Sequence, residues 1–184
     1  MERFDRIRDG DDVVRRVPLE DAAQVMNLPP ASKYAISSED VVLALAGLCK
    51  ARPVAVRNLY LQFVFAWLTG NGDLHGKNLS VRQAPDGLWE VTPVYDLLCT
   101  QPYAGWADPM AVPLYGRANR LGRRWWLDAA QRWGLPERAV ARSLDRIAAA
   151  VLPWADRVGE IGFDDATYDR LAALLRERAG ELTG

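Results

Sequence analysis

Residues 71–80 read Asn71-Gly72-Asp73-Leu74-His75-Gly76-Lys77-Asn78-Leu79-Ser80, and most of their side chains can do chemistry. Asp73 offers a carboxylate, Asn78 a carboxamide five residues later, and Lys77 an ammonium between them; a second carboxylate, Asp96, follows eighteen residues after Asn78. Magnesium takes hard oxygen ligands and keeps several waters, so one carboxylate plus one carboxamide is enough from a protein. A further carboxylate to orient an attacking hydroxyl, and a lysine to offset charge on a moving phosphoryl group, complete a set suited to phosphoryl transfer. The same residue types also form turns and helix caps. Spacing alone leaves both readings open.

Protein kinases place a catalytic-loop Asp, an Asn five residues on and a later metal-binding Asp in this order. Other kinase letters are missing: Gly72 rather than Arg precedes Asp73, and Asp96 lies in Tyr-Asp-Leu rather than Asp-Phe-Gly. Gly70, Gly72 and Gly76 follow a predicted helix rather than a strand and fit neither glycine-rich phosphate fingerprint. His75 has the chemistry of a general base, but a lone histidine in such a loop is read here as the residue that orients it.

The loop needs rigid elements on both sides. Upstream, Ser37 or Ser38 caps a helix opened by Glu39 and Asp40, and Pro53 stands near the start of the next, VAVRNLYLQFVFAWLTG, closed by Gly70. That second helix is apolar nearly all round, which marks it as the buried central one. Downstream, LSVRQ, the turn Ala84-Pro85-Asp86-Gly87 and LWEVTPV predict a β-hairpin, whose two ends bring Asp96 near Asn78. The first 35 residues read as polar and irregular, with PLEDAAQVM a short helical turn ended by Pro29-Pro30. Beyond residue 118, Val140, Leu144, Ile147, Val151 and Trp154 form one apolar face of a long helix with Pro136 in its first turn. Asp164 or Asp165 opens a last helix with Leu171, Leu174 and Leu175 inward. The fold class expected is mainly α with one inserted hairpin. A single unit over 1–184 is expected, divided into 1–35, 36–118 and 119–184.

Composition narrows the class. The 184 residues carry 23 Lys+Arg against 24 Asp+Glu, a formal net charge of −1, and are 49% hydrophobic. That is the balance of a globular chain, with no reason to expect direct binding to nucleic acid or to a membrane. Cys49 and Cys99 sit in no metal-ligand spacing, and with only His75 to join them no zinc site is expected. The charged N-terminus lacks a signal-peptide core, so a cytoplasmic setting is expected. Arg117, Arg120, Arg123 and Arg124 with Trp125 and Trp126 read as a solvated helix face with tryptophan turned inward, rather than as a site for an acidic partner.

NGDLHGKNLS followed by VTPVYDLLCT resembles the HipA-like serine/threonine kinases, whose pattern is approximately D-x-H-x-K-N-x-S, a hairpin, then P-x-Y-D. Glu2-Arg3-Phe4-Asp5-Arg6 is similar to the hinge segment of that family, and PLEDAAQVMNLPPASKY to the stretch after it. The resemblance is close over residues 1 to about 116 and lies mainly in pattern beyond. It implies the helical C-terminal lobe of a HipA-like, protein-kinase-like fold. It also implies that Asp73 is the catalytic base, that Asn78 and Asp96 coordinate Mg2+, that Lys77 lies beside the phosphates of ATP, and that the backbone at Glu2 and Phe4 meets the adenine. Leu19 stands where some members carry Gln, so any contact made by that side chain is lost.

In the family this activity belongs to toxin–antitoxin pairs. The resemblance therefore implies a helix-turn-helix antitoxin as partner and an aminoacyl-tRNA synthetase as the kind of protein substrate. It further implies an N-terminal lobe, with its glycine-rich loop and ATP-binding lysine, supplied by another polypeptide or by an upstream segment. Two alternatives stand beside the kinase: an inactive or truncated lobe acting as a binding module, and an Mg2+-dependent phosphohydrolase using the same carboxylates on water.

Overall fold

The computed structural model describes residues 3–8 and 13–183. Strands β1 (Arg6–Arg8) and β2 (Val14–Arg16) pair antiparallel as a separate two-stranded ribbon. Strand β3 (Leu19–Asp21) leads into the short helix α1 (Ala22–Val25), followed by α2 (Ser38–Leu48), α3 (Arg52–Leu68), β4 (Ser80–Gln83) and β5 (Trp89–Val91). The rest is helical: α4 (Gln101–Ala104), α5 (Arg123–Arg132), α6 (Glu137–Ala155) and α7 (Asp165–Leu182). The mainly-α expectation holds.

Local chemistry accounts for the element starts. Ser37 caps α2 by accepting from the Asp40 N–H, and the acidic side chains of Glu39 and Asp40 suit the positive end of the helix. Asp164 caps α7 in the same way through Thr167. At α1, Asp21 accepts from the Gln24 N–H while Gln24 Oε1 accepts from the Asp21 N–H, a reciprocal capping box.

Helix α3 is the buried centre of the core. Leu59, Tyr60, Phe63, Val64, Ala66 and Leu68 are each fully enclosed. Helix α2 lies against it, as do α6 and α7, which pack extensively on one another. Trp126 of α5 drops fully buried between Tyr60 and Trp67, with ring centroids at 5.8 and 5.9 Å. Among the described residues no helix is long and apolar enough to cross a membrane.

Three expectations need correction. The hairpin is not alone: β3 adds to β4 with Glu20 opposite Val81, giving a sheet in the order β3-β4-β5, so Leu19-Glu20-Asp21 is strand and only Ala22–Val25 is helix. The supposedly irregular N-terminus also carries the β1–β2 ribbon. Trp154 is 54% exposed rather than core-facing. Val151 and Ala155 take the inward positions at that end of α6, while Trp154 borders an apolar groove of about 650 Å3 and lies under the Arg157 guanidinium. The Arg/Trp cluster divides as the sequence predicts for Trp126. Arg117 stacks on Trp125, and Arg123 pairs with Asp145 and donates to the Leu182 carbonyl.

Candidate active site

The loop 69–79 joins the buried end of α3 to β4, so both of its ends are anchored in the core. Gly70 turns the chain out of α3 at φ +76°, a conformation that favours glycine. Asn71, fully buried, accepts the Asp73 N–H on Oδ1 at 2.8 Å, the side-chain turn that asparagine forms readily. Asn78, also buried, reaches back with Nδ2 to the Asp73 carbonyl at 3.1 Å. The five-residue spacing thus closes into a ring. Because Nδ2 is committed inward, Oδ1 is the atom Asn78 has left for a ligand.

Asp73 itself is partly open, its side chain 38% exposed. The Tyr34 phenol donates to Asp73 Oδ1 at 2.6 Å. This hydrogen bond, with some burial, holds the Tyr34 hydroxyl above its usual acidity value. The Tyr34 ring meets the edge of the His75 ring at 5.2 Å, and the Lys33 carbonyl accepts the Gly76 N–H at 3.0 Å. The segment before α2 is therefore a wall of the site. No spacing in the sequence links residue 34 to residue 73, and this contact was not foreseen; neither was the role of Asn71.

His75 is buried, and its Nδ1 accepts the Lys77 N–H at 3.3 Å, which fixes the neutral tautomer with the proton on Nε2. Nε2 stands 4.0 Å from Asp73 Oδ1, beyond hydrogen-bond range. Burial, reinforced by Lys33, lowers its proton affinity below the ordinary value of 6.5. The ring is thus tied to the backbone of its own loop. A consequence for stability follows. A histidine that protonates less readily folded than unfolded contributes stability above 6.5 and loses it as pH falls through its lowered folded value. Urea midpoints should therefore fall from pH 7 to pH 5, and His75→Gln should flatten that slope; an unchanged slope would remove His75 as its source.

At the hairpin end, Tyr95 ties the two halves together. Its hydroxyl donates to the Lys77 carbonyl at 2.8 Å and, with its proton so used, accepts from Ser80 Oγ at 2.5 Å. The residue beside Asp96 is thereby fixed to the residue beside Asn78. Asp96 is exposed and adopts φ 53°, an uncommon left-handed backbone for a residue other than glycine, and one that recurs at functional sites. The Lys77 side chain is exposed on the same loop. Phe4 packs on Tyr95 at 5.6 Å, and its carbonyl accepts Arg82 Nη1 at 3.1 Å, which brings the N-terminal segment to the Asp96 side of the site. Glu2 lies outside the described residues.

The donor set near Asn78 and Asp96 is hard oxygen, which fits Mg2+ and not zinc. Among the described residues no group of three or more His, Cys, Asp or Glu could hold a metal. Two protein oxygens are nonetheless what an ion completed by water and phosphate requires.

The family model of the HipA-like C-terminal domain matches residues 1–155. The "Putative kinase Y4mE" of Sinorhizobium fredii is 31% identical over 189 residues, covering 97% of this chain and 45% of that protein. The serine/threonine-protein kinase toxin HipA of Shewanella oneidensis is 33% identical over 130 residues, covering 62% of this chain and 30% of that protein. The solved complex of Shewanella oneidensis HipA with HipB and operator DNA superposes with a TM-score of 0.79 at 25% identity, over 97% of this chain and 47% of that one. The chain thus spans less than half the length of these relatives. On the extent of the match and the agreement in fold, the chain belongs to the HipA-like C-terminal domain family, among relatives named as kinases.

Proposed function

We propose that this chain is the C-terminal catalytic lobe of a HipA-like serine/threonine protein kinase, acting with an N-terminal lobe to move the γ-phosphoryl group of ATP to a protein hydroxyl. Asp73 orients the acceptor hydroxyl and takes its proton as the oxygen–phosphorus bond forms and ADP leaves. Asn78 Oδ1 and the Asp96 carboxylate would hold Mg2+, which when bound supplies positive charge against the phosphate oxygens. Lys77 adds to that charge from the same loop. The backbone at Glu2 and Phe4 is the place assigned to the adenine.

The observation that supports this most directly is the hydroxyl already on Asp73. Tyr34 donates to one carboxylate oxygen at 2.6 Å, while the side chain stays partly open to a second hydroxyl. A carboxylate used only as a turn former or cap would direct its oxygens at backbone N–H groups. Here the backbone bonds of Asp73 are made by its own main chain with Asn71 and Asn78. The Shewanella relative is seen with HipB and operator DNA. By that analogy we place this chain in a toxin–antitoxin pair with a helix-turn-helix antitoxin, and expect an aminoacyl-tRNA synthetase as substrate.

The test is reconstitution. The chain is mixed with the N-terminal half of the Sinorhizobium fredii relative, γ-labelled ATP and a panel of purified aminoacyl-tRNA synthetases. Mg2+-dependent label on serine or threonine of one synthetase is expected. Phosphate release without any labelled acceptor would favour the phosphohydrolase. Silence from a pair of lobes that co-elutes would leave the binding module.

A further inference from the structure

We propose that Thr100 and Asp108 are positioning residues that lock the Asp73 loop onto the segment running on from Asp96, so that the two carboxylates of the site are held by one brace. This rests on the kinase reading for its effect on turnover, though not for the brace itself.

The starting point is Gly72, where protein kinases carry arginine. Gly72 is not among the glycines with left-handed backbone, so conformation does not demand glycine there. Space does. A Cβ at Gly72 would overlap the Asp108 carboxylate and stand 2.8 Å from Thr100 Oγ1. The place of a side chain before Asp73 is taken by a side chain from the other segment.

Hydrogen bonds turn that contact into a lock. The Gly72 N–H donates to Thr100 Oγ1 at 2.9 Å. The Thr100 hydroxyl has one proton and two acceptors in reach, Asp108 Oδ2 and, at 3.2 Å, the Gly70 carbonyl. Asp108 is much the nearer and takes the proton; Gly70 is already served by the Thr100 N–H at 3.0 Å. The fully buried Gln101 completes the frame, its Nε2 donating to the Asp108 carbonyl at 3.0 Å and facing the Gly70 carbonyl at 3.3 Å.

Thr100 is also the N-cap residue of α4, a position where threonine usually accepts a helix N–H, yet it makes no such bond. Its oxygen is used on the loop instead. Thr100 lies only four positions after Asp96, which sits in the left-handed conformation noted above. One hydroxyl therefore fixes the residue before the base and the segment after the second carboxylate.

Amide hydrogen exchange of the 184-residue chain, without nucleotide, tests the brace alone. Thr100→Val should speed exchange over residues 70–76 by about fivefold or more, with α3 and α6 unchanged, and Thr100→Ser should match the parent. In the reconstituted reaction Thr100→Val should lower kcat by about 10- to 100-fold with KM for ATP within about twofold. The Thr100→Val/Asp108→Ala pair should lose no more than the worse single variant, because the two act as one unit. Parental exchange in Thr100→Val, or a Thr100→Ser as impaired as the valine, would overturn the brace. Faster exchange with unchanged kcat would overturn its catalytic role. A parent that labels no acceptor would fail the kinase reading while the exchange result still decides the brace.

Discussion

Replacing Asp73 by Asn should lower Mg2+-dependent phosphoryl transfer in the reconstituted pair by about 10³-fold, the range seen when a positioned general base is removed. At 25 °C that is about 4 kcal/mol of transition-state stabilisation. The substitution isolates the chemistry because nearly everything else survives it. Asp73 meets Asn71 and Asn78 through its backbone N–H and carbonyl, and neither bond depends on the carboxylate. The amide oxygen of an asparagine can still accept the Tyr34 hydroxyl that now donates to Oδ1. What is lost is the second oxygen, replaced by an NH2 that repels rather than accepts the proton of an incoming hydroxyl. The melting temperature and KM for ATP should stay near those of the parent while kcat collapses. Tyr34→Phe, which removes one hydrogen bond to a carboxylate that keeps its charge, should fall between the two. Transfer by Asp73→Asn above about a tenth of the parent would show that another group takes the proton.

The parts of this site that were legible in the sequence are the local ones. The Asp73–Asn78 spacing, the serine cap of α2 and the apolar run of α3 are each set by residues a few positions apart, and the hairpin that ties Tyr95 to the Lys77 carbonyl is set by the short turn between its strands. The two-residue and 3.6-residue periods and the cap preferences report directly on those. What escaped was non-local. Tyr34 meets Asp73 across 39 residues, and Thr100 meets Gly72 across 28. Neither contact leaves a periodic trace. Strand β3 has only three residues, and its partner β4 begins near position 80, so Leu19-Glu20-Asp21 carries no alternation long enough to separate strand from turn. Trp154 misled for a different reason. The helical period places it on the apolar stripe of α6 correctly, but periodicity does not say where the neighbouring helices stop covering that stripe. In the sequence Gly72 is only a departure from the arginine of other kinases, whereas the structure makes it the space that Asp108 fills.

The largest loss of stability should come from Trp126→Ala, at about 3–5 kcal/mol, the range for truncating a buried aromatic. Trp126 is fully enclosed and lies at the junction of α5 with α3, edge-on to Tyr60 and tilted against Trp67. Its carbonyl also accepts the buried Tyr60 hydroxyl at 3.1 Å, a backbone link that the substitution spares. The ring is therefore the part under test. Its Nε1–H is buried with no acceptor among the described residues, and an unpaired buried donor carries its own cost of about 1–3 kcal/mol. Trp126→Phe removes that donor while keeping most of the apolar contact, so it should cost clearly less than alanine, about 1–2 kcal/mol. Urea midpoints with unchanged slopes would show this ordering directly. Equal losses for both variants would mean that the indole itself, rather than filled volume, is what the site requires. The consequence reaches the loop. Trp67, which Trp126 packs against, is one residue from the end of α3, and Arg178 stacks on the same ring at 5.3 Å while donating to its carbonyl. A cavity at residue 126 frees the turn of helix from which Gly70 and the Asp73 loop depart. Because a domain holds only about 5–15 kcal/mol in all, loosening that turn should reduce phosphoryl transfer before the chain unfolds.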